Sequence, residues 1–189
     1  MFEIFLRVSM DGEILLWLQE NMRNSILTPI LSFITNLAYN GEVWIAISII
    51  LLCLKKYRKI GFKTLLAMFI SMILCDNLLK NIVARPRPYD SIEELIRIGH
   101  RVKSYSFPSG HTSTAFAFAT AFTKGMPKKY VVLVWILAVI MAFSRLYLGY
   151  HYPTDVLGGM VVGTFCGFLG GIIINGVMNY FNSKKSDTE

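Results

Sequence analysis

Residues 154–180 carry a single charged side chain, Asp155, and this run constrains the fold more than any other feature of the chain. A helix needs about 20 apolar residues to cross the hydrocarbon core of a bilayer, and this stretch exceeds that length. Runs 60–79, 109–122 and 130–143 are nearly as apolar, and two shorter ones, 26–39 and 43–54, precede them. Counted as six crossings, they predict an all-α, polytopic membrane helical bundle forming one integral membrane domain over 1–189. Composition agrees: 54% hydrophobic residues and a mean hydropathy of +0.50 are too apolar for an ordinary soluble domain.

The flanks of the runs give the orientation. Lys55, Lys56, Arg58, Lys59 and Lys63 follow the second run, Lys124, Lys128 and Lys129 follow the fourth, and Lys184 and Lys185 close the tail. The positive-inside rule places these in the cytoplasm, and six crossings put both termini there, with 183–189 as a polar cytoplasmic tail. Before the first run, residues 1–25 read as an interfacial segment. Within it, 11–21 alternate apolar and polar residues as an amphipathic helix N-capped by Asp11. No early basic stretch leads into an apolar core with a small-residue cleavage site, so insertion is expected to use the spans themselves. The net charge of +7 is dispersed over the ends of the runs, which argues against a nucleic-acid partner. Cys53, Cys75 and Cys166 lie far apart inside apolar runs and read as buried hydrophobes. Gly159, Gly163, Gly167 and Gly171 line one face of the last run, suited to close packing within the chain or to the seam of a homodimer.

Three polar blocks interrupt this apolar sequence, all at the ends of runs opposite the lysines. In the first, Lys80 tops the third run and Arg87 follows in Arg85-Pro86-Arg87-Pro88, which cannot continue a helix. The second, Phe107-Pro108-Ser109-Gly110-His111, reads as a helix start whose free N–H groups attract an anion, with glycine admitting it to the backbone. The third holds Ser144-Arg145, then His151 and Asp155 four residues apart around Pro153. A carboxylate there can hold one imidazole nitrogen, fix the tautomer and leave the other nitrogen free to attack. Together the blocks supply two histidines, three cations, a serine and a carboxylate, the set that phosphoryl transfer through a covalent intermediate requires. Asp76 lies one turn before Lys80, within reach of an ion pair. The tyrosines around the mouth, including Tyr89, Tyr105, Tyr147, Tyr150 and Tyr152, suit a headgroup belt.

In order and spacing the three blocks resemble the signature of the type 2 phosphatidic acid phosphatase superfamily, which also includes vanadium haloperoxidases. The resemblance implies His151 as nucleophile oriented by Asp155 and His111 as general acid. It implies a phosphate cradle of Lys80, Arg87, Ser109, Gly110 and Arg145. It also implies a phosphohistidine released by water, with the fixed cations doing the work of a metal, so neither metal nor other cofactor is expected.

A membrane address makes the substrate a lipid phosphate, bound at a site on the non-cytoplasmic face while its tail stays in the bilayer. The family suggests undecaprenyl diphosphate, phosphatidylglycerol phosphate or phosphatidic acid. Ser109-Gly110-His111 differs from the Ser-Asp-His form of some bacitracin-resistance diphosphatases. The alternatives are a lipid phosphotransferase using the same intermediate, or a non-catalytic protein that binds or translocates lipids.

Overall fold

The computed structural model describes residues 9–37 and 41–186. The first residues of the expected interfacial segment (1–8), the end of the first apolar run (38–39) and the end of the tail (187–189) lie outside the described residues. Everything regular among the described residues is helical. The order is α1 (Met10–Met22), α2 (Leu27–Leu37), α3 (Glu42–Cys53), α4 (Arg58–Met72), a π-helical stretch (Ile73–Leu79), α5 (Lys80–Val83), α6 (Pro88–Ser91), α7 (Gly110–Thr123), α8 (Lys128–Tyr147) and α9 (Pro153–Ser186).

Local chemistry sets the breaks. Ala84 adopts a left-handed conformation (φ 48°) that ends α5 just ahead of the two Arg-Pro pairs. Pro153 opens α9 at its first helical position, where its missing N–H costs nothing. α7 is the central helix: ten of its residues are buried between α4, α8 and α9. α9 lies so close to it that a Cβ on Gly163 would sit 2.2 Å from the Ser113 carbonyl oxygen. Gly159 and Gly167 meet α7 in the same way, so three of the four glycines in the stripe pack within the chain instead of forming a dimer seam. The outer faces are apolar, with Val161, Ile172 and Ile136 all exposed, as suits contact with lipid.

Three helical stretches are long and apolar enough to cross a membrane, Arg58–Ser91, Lys128–Tyr147 and Pro153–Lys184, and α2 with α3 pass the same test only as a pair inclined by 51°. The expected six separate crossings are not confirmed: α2 and α3 qualify only as a pair, with axes inclined by 51°. Thr28 of α2 touches the Tyr147 hydroxyl and Thr35 meets Arg145; in α3, Trp44 packs on Phe118, and Ser48 accepts from Thr64. The contacts descend from the polar end of the bundle to the lysine end without turning back. Length explains it: 11 and 12 residues rise only about 16 and 18 Å, so the two together match one ~30 Å core.

α1 also differs from expectation. Asp11 lies inside its first turn and is not the cap; Leu15 and Leu18 are buried with Ile92, Leu95 and Tyr152, while Ile14 and Trp17 are exposed. Apolar side chains thus occupy two faces. One packs α1 onto the loop that follows α6.

Candidate active site

The three polar blocks meet at one end of the bundle. Lys80, Arg87, Gly110, His111, Arg145 and His151 all line a single cavity of about 630 Å³. Ser109 is fully buried beside it, and Asp155 is fully buried behind His151. Its remaining walls are largely apolar and come from α3 and α4, including Trp44, Ile45, Leu65, Met68 and Phe69.

The cations are anchored. Lys80 follows the π-helical stretch, a distortion that recurs at functional sites, and its ammonium lies 2.6 Å from Asp76. Arg87 donates through Nε to the Ser104 carbonyl (2.7 Å), through one terminal nitrogen to Ser104 Oγ and the Tyr105 carbonyl, and through the other to the Tyr150 carbonyl. Arg145 donates to Thr35 Oγ1 at 2.7 Å, and its guanidinium lies 4.1 Å from the centre of the Tyr150 ring. Gly110 leaves room for this arrangement, since a Cβ there would fall 3.0 Å from the Asp76 carboxylate and 3.5 Å from the Lys80 ammonium. Beneath it, Thr112 donates to Ser109 Oγ, which fixes that hydroxyl.

His151 sits in the short connection between α8 and α9 and is almost wholly buried. Its Nδ1 faces Asp155 Oδ2 at 3.6 Å, an electrostatic contact slightly longer than a hydrogen bond, and its Nε2 faces Arg87 at 3.4 Å. The Asp155 side thus favours an Nδ1-protonated ring with Nε2 carrying the lone pair toward the cavity. Burial, followed by the charges of Arg87 and Arg145, holds the imidazole well below its ordinary value against the opposing pull of Asp155, so it is neutral at physiological pH. His111 stands beside His151 and among three cations, Arg145, Lys80 and Arg87.

Asp155 has more partners than the sequence indicates. Ser106 Oγ donates to its Oδ2 at 2.5 Å, the Tyr152 N–H to the same oxygen at 2.8 Å, and Arg85 to Oδ1 at 2.7 Å. Arg85 also donates to Asp11 of α1 at 2.9 Å, and Thr154 donates to the same Asp11 oxygen. Arg85 lies over the Tyr152 ring, 3.9 Å from its centre. Thr35, Arg85, Ser106 and Asp11 are therefore the contributors that sequence reasoning missed. Only Arg85 left a sign, as the first of two arginines in Arg-Pro-Arg-Pro. Tyr147, Tyr150 and Tyr152 are buried and do not form an exposed headgroup belt; two of them serve as platforms for arginines.

The sequence pattern of the PAP2 superfamily matches residues 60–178, which holds every cavity residue from the three blocks. The chain belongs to the PAP2 superfamily. It is 34% identical over 127 residues to an undecaprenyl-diphosphatase of Sulfolobus acidocaldarius, covering 67% of this chain and 61% of that protein, less than two thirds of the relative's length. It is 29% identical over 162 residues to a lipid A 4'-phosphatase of Bacteroides thetaiotaomicron, covering 77% of this chain and 71% of that one. A solved structure of the first transmembrane PAP2 type phosphatidylglycerolphosphate phosphatase from Bacillus subtilis superposes with a TM-score of 0.69. The identity is 28%, with coverage of 90% of this chain and 85% of that one.

Proposed function

We propose that the chain is a membrane-embedded phosphatase that hydrolyses a lipid phosphomonoester or diphosphate through a phosphohistidine, without a metal. The observation that carries this reading is the single cavity that joins His151, His111 and three anchored cations to an apolar wall. Phosphoryl oxygens fit the cationic end, where Lys80, Arg87 and Arg145 stabilise the charge that develops on them. The lipid tail fits the α3–α4 wall.

In the first step His151 Nε2 attacks phosphorus. The P–O bond to the lipid breaks, and His111 gives its proton to the departing oxygen. Asp155 stabilises the positive charge that the ring acquires. In the second step His111 takes a proton from water, whose oxygen forms a P–O bond as the P–N bond breaks, releasing phosphate and restoring neutral His151. Ser109 and the N–H groups at the start of α7 add donors to the phosphate oxygens. Undecaprenyl diphosphate, phosphatidylglycerol phosphate and phosphatidic acid are the candidate substrates, to which the Bacteroides relative adds lipid A phosphates.

The bundle is read as five crossings, α2 with α3, α4 with α5, then α7, α8 and α9. The cavity opens on the non-cytoplasmic face and the C-terminus lies in the cytoplasm. This replaces the six-crossing reading with two cytoplasmic termini: an odd count places α1 on the cavity's side, where Asp11 meets Arg85. The whole chain, 1–189, acts as one membrane domain, with α1 in the outer interface.

Released phosphate, measured in detergent over a panel of lipid monophosphates and diphosphates with and without EDTA and vanadate, tests the function. Turnover of at least one lipid, resistant to EDTA and inhibited by vanadate, is expected. Chelator-sensitive turnover overturns the metal-free mechanism, and no turnover on any lipid phosphate overturns the activity.

A further inference from the structure

A second cavity, of about 350 Å³, lies toward the other end of the bundle among α4, α7, α8 and α9. Its chemistry is unlike the first. Lys63 of α4 and Lys124 at the end of α7 line it, with Thr120, Thr123 and Asn175 as polar neighbours. No histidine or carboxylate lines it, so it lacks a group to act as nucleophile or acid toward phosphorus.

Two groups in this cavity lack a complement: the Lys63 cation has no counter-charge, and the Thr120 hydroxyl no hydrogen-bond partner, among the described residues. Lys63 is 7% exposed, yet among the described residues no carboxylate lies within ion-pair distance of it; the charges acting on it are those of Lys59 and Lys124, both repulsive. Thr120 is 9% exposed, and its hydroxyl has no hydrogen-bond partner among the described residues. A lysine whose charged neighbours are lysines, beside an unpartnered hydroxyl in a cavity, presents a local positive field that attracts an anion. The glycine stripe adds an independent sign. Gly159, Gly163 and Gly167 are glycine because α7 leaves no room for a Cβ, but a Cβ on Gly171 would meet nothing within 4 Å, and Gly171 faces this cavity.

We propose that this cavity binds a phosphate-bearing anion, carried on a phospholipid headgroup or free, between Lys63 and Lys124 with Thr120 and Asn175 as hydrogen-bonding partners. Phosphate supplies the negative charge that the lysines lack and acceptors for the Thr120 hydroxyl and the Asn175 amide. Exposed Phe168 and Ile172 continue the cavity onto the apolar outer face of α9, which suits an anion that arrives attached to acyl chains. The site is at the lysine end of the bundle, so the leaflet it samples is the one opposite the catalytic cavity.

Thermal unfolding of the full chain in detergent tests this, with variants of the second cavity separating its contribution from that of the catalytic cavity. Phosphatidylglycerol is titrated in one arm, inorganic phosphate in another, and phosphatidylcholine serves as the zwitterionic control. Phosphatidylglycerol carries only a phosphodiester and offers no terminal phosphate to the first site. The wild type is expected to show a saturable rise in Tm in the phosphatidylglycerol arm, the phosphate arm or both, identifying the source, and none with phosphatidylcholine. Lys63→Gln and Lys124→Gln should weaken the half-saturating concentration at least tenfold. Gly171→Leu, which fills the cavity without removing charge, should do the same, whereas Lys129→Gln, a charge change outside the cavity, should not. Lys124 is exposed and Gly171 has open space, so these two variants carry the test if Lys63→Gln fails to fold. No saturable rise in either anion arm, or a rise that Lys124→Gln and Gly171→Leu both leave intact, overturns the proposal.

Discussion

At the catalytic end, Arg87 donates to three backbone carbonyls, Lys80 sits 2.6 Å from Asp76 and Arg85 bridges two carboxylates; at the lysine end, Lys63 has no carboxylate within ion-pair distance among the described residues, and the charges near it are those of Lys59 and Lys124. The first set of charges is held in place by the protein. The second has no such support from the protein among the described residues. Catalysis requires the former, because donors fixed before reaction need no reorganisation as charge develops on the phosphoryl oxygens. Binding tolerates the latter, since a ligand can organise its own partners. On the two proposals above, the cavities separate a site that breaks a P–O bond from one that only holds a phosphate.

The largest effect should come from removing the nucleophile. His151→Ala is expected to lower phosphate release by about 10⁴-fold or more, as loss of one member of a concerted catalytic set commonly does. Unchanged single-turnover rates in that variant would end the phosphohistidine reading. Next comes the anchoring itself. Arg87→Lys keeps the charge but cannot reproduce a fork that reaches the Ser104, Tyr105 and Tyr150 backbone while facing His151, so kcat should fall by about 10²- to 10³-fold. A lysine variant within threefold of wild type would show that charge alone suffices and erase the contrast between the two ends.

How much of this was legible in the sequence follows from how far apart the partners are. The blocks at Lys80–Arg87, Ser109–His111 and Arg145–Asp155 each sit at the end of an apolar run, so length and polarity alone bring them to one end of a bundle. The Lys80–Asp76 pair is one helical turn and equally readable. The supports are not: Thr35 reaches Arg145 across 110 positions and Thr154 reaches Asp11 across 143, and single threonines or aspartates carry no mark of a distant partner. The six-crossing count takes 26–39 and 43–54 as separate spans although the second is short for a bilayer core, and nothing in sequence shows that α2 and α3 together match one core length. The empty space at Gly171 was hidden by a stripe whose first three members do pack as the pattern implies.

Acidity probes the same anchoring with a smaller effect. Burial holds His151 well below the ordinary imidazole value of 6.5, so the ring remains neutral and nucleophilic as pH falls through 6.5, and the acid limb of the kcat profile should lie below that point. Stability follows the same sign. A histidine with a depressed folded-state value binds its proton more readily when unfolded, so its neutral burial favours the fold above pH 6.5 and loses ground as pH falls below it. Tm should therefore decline on acidification, and His151→Gln should remove part of that decline. An acid limb centred above 6.5 would contradict the neutral, buried His151.

The smallest effect should come from the outermost contact of the catalytic set. Asp11 touches no part of the cavity; its carboxylate holds Arg85, which in turn holds Asp155 Oδ1. Both ends of the Asp11–Arg85 pair retain some exposure, and such pairs contribute about 0–1 kcal/mol, or up to roughly fivefold in rate if all of it acts on the chemical step. Asp11→Asn leaves Arg85 with a single carboxylate and free to shift toward it. That changes how Asp155 faces His151 without altering the walls that grip the lipid. The expected result is a two- to fivefold loss in kcat with KM unchanged, a shift of the acid limb, and recovery in Asp11→Glu. A loss that appears in KM alone, or one that Asp11→Glu fails to restore, would make α1 a structural lid with no hand in positioning the catalytic pair.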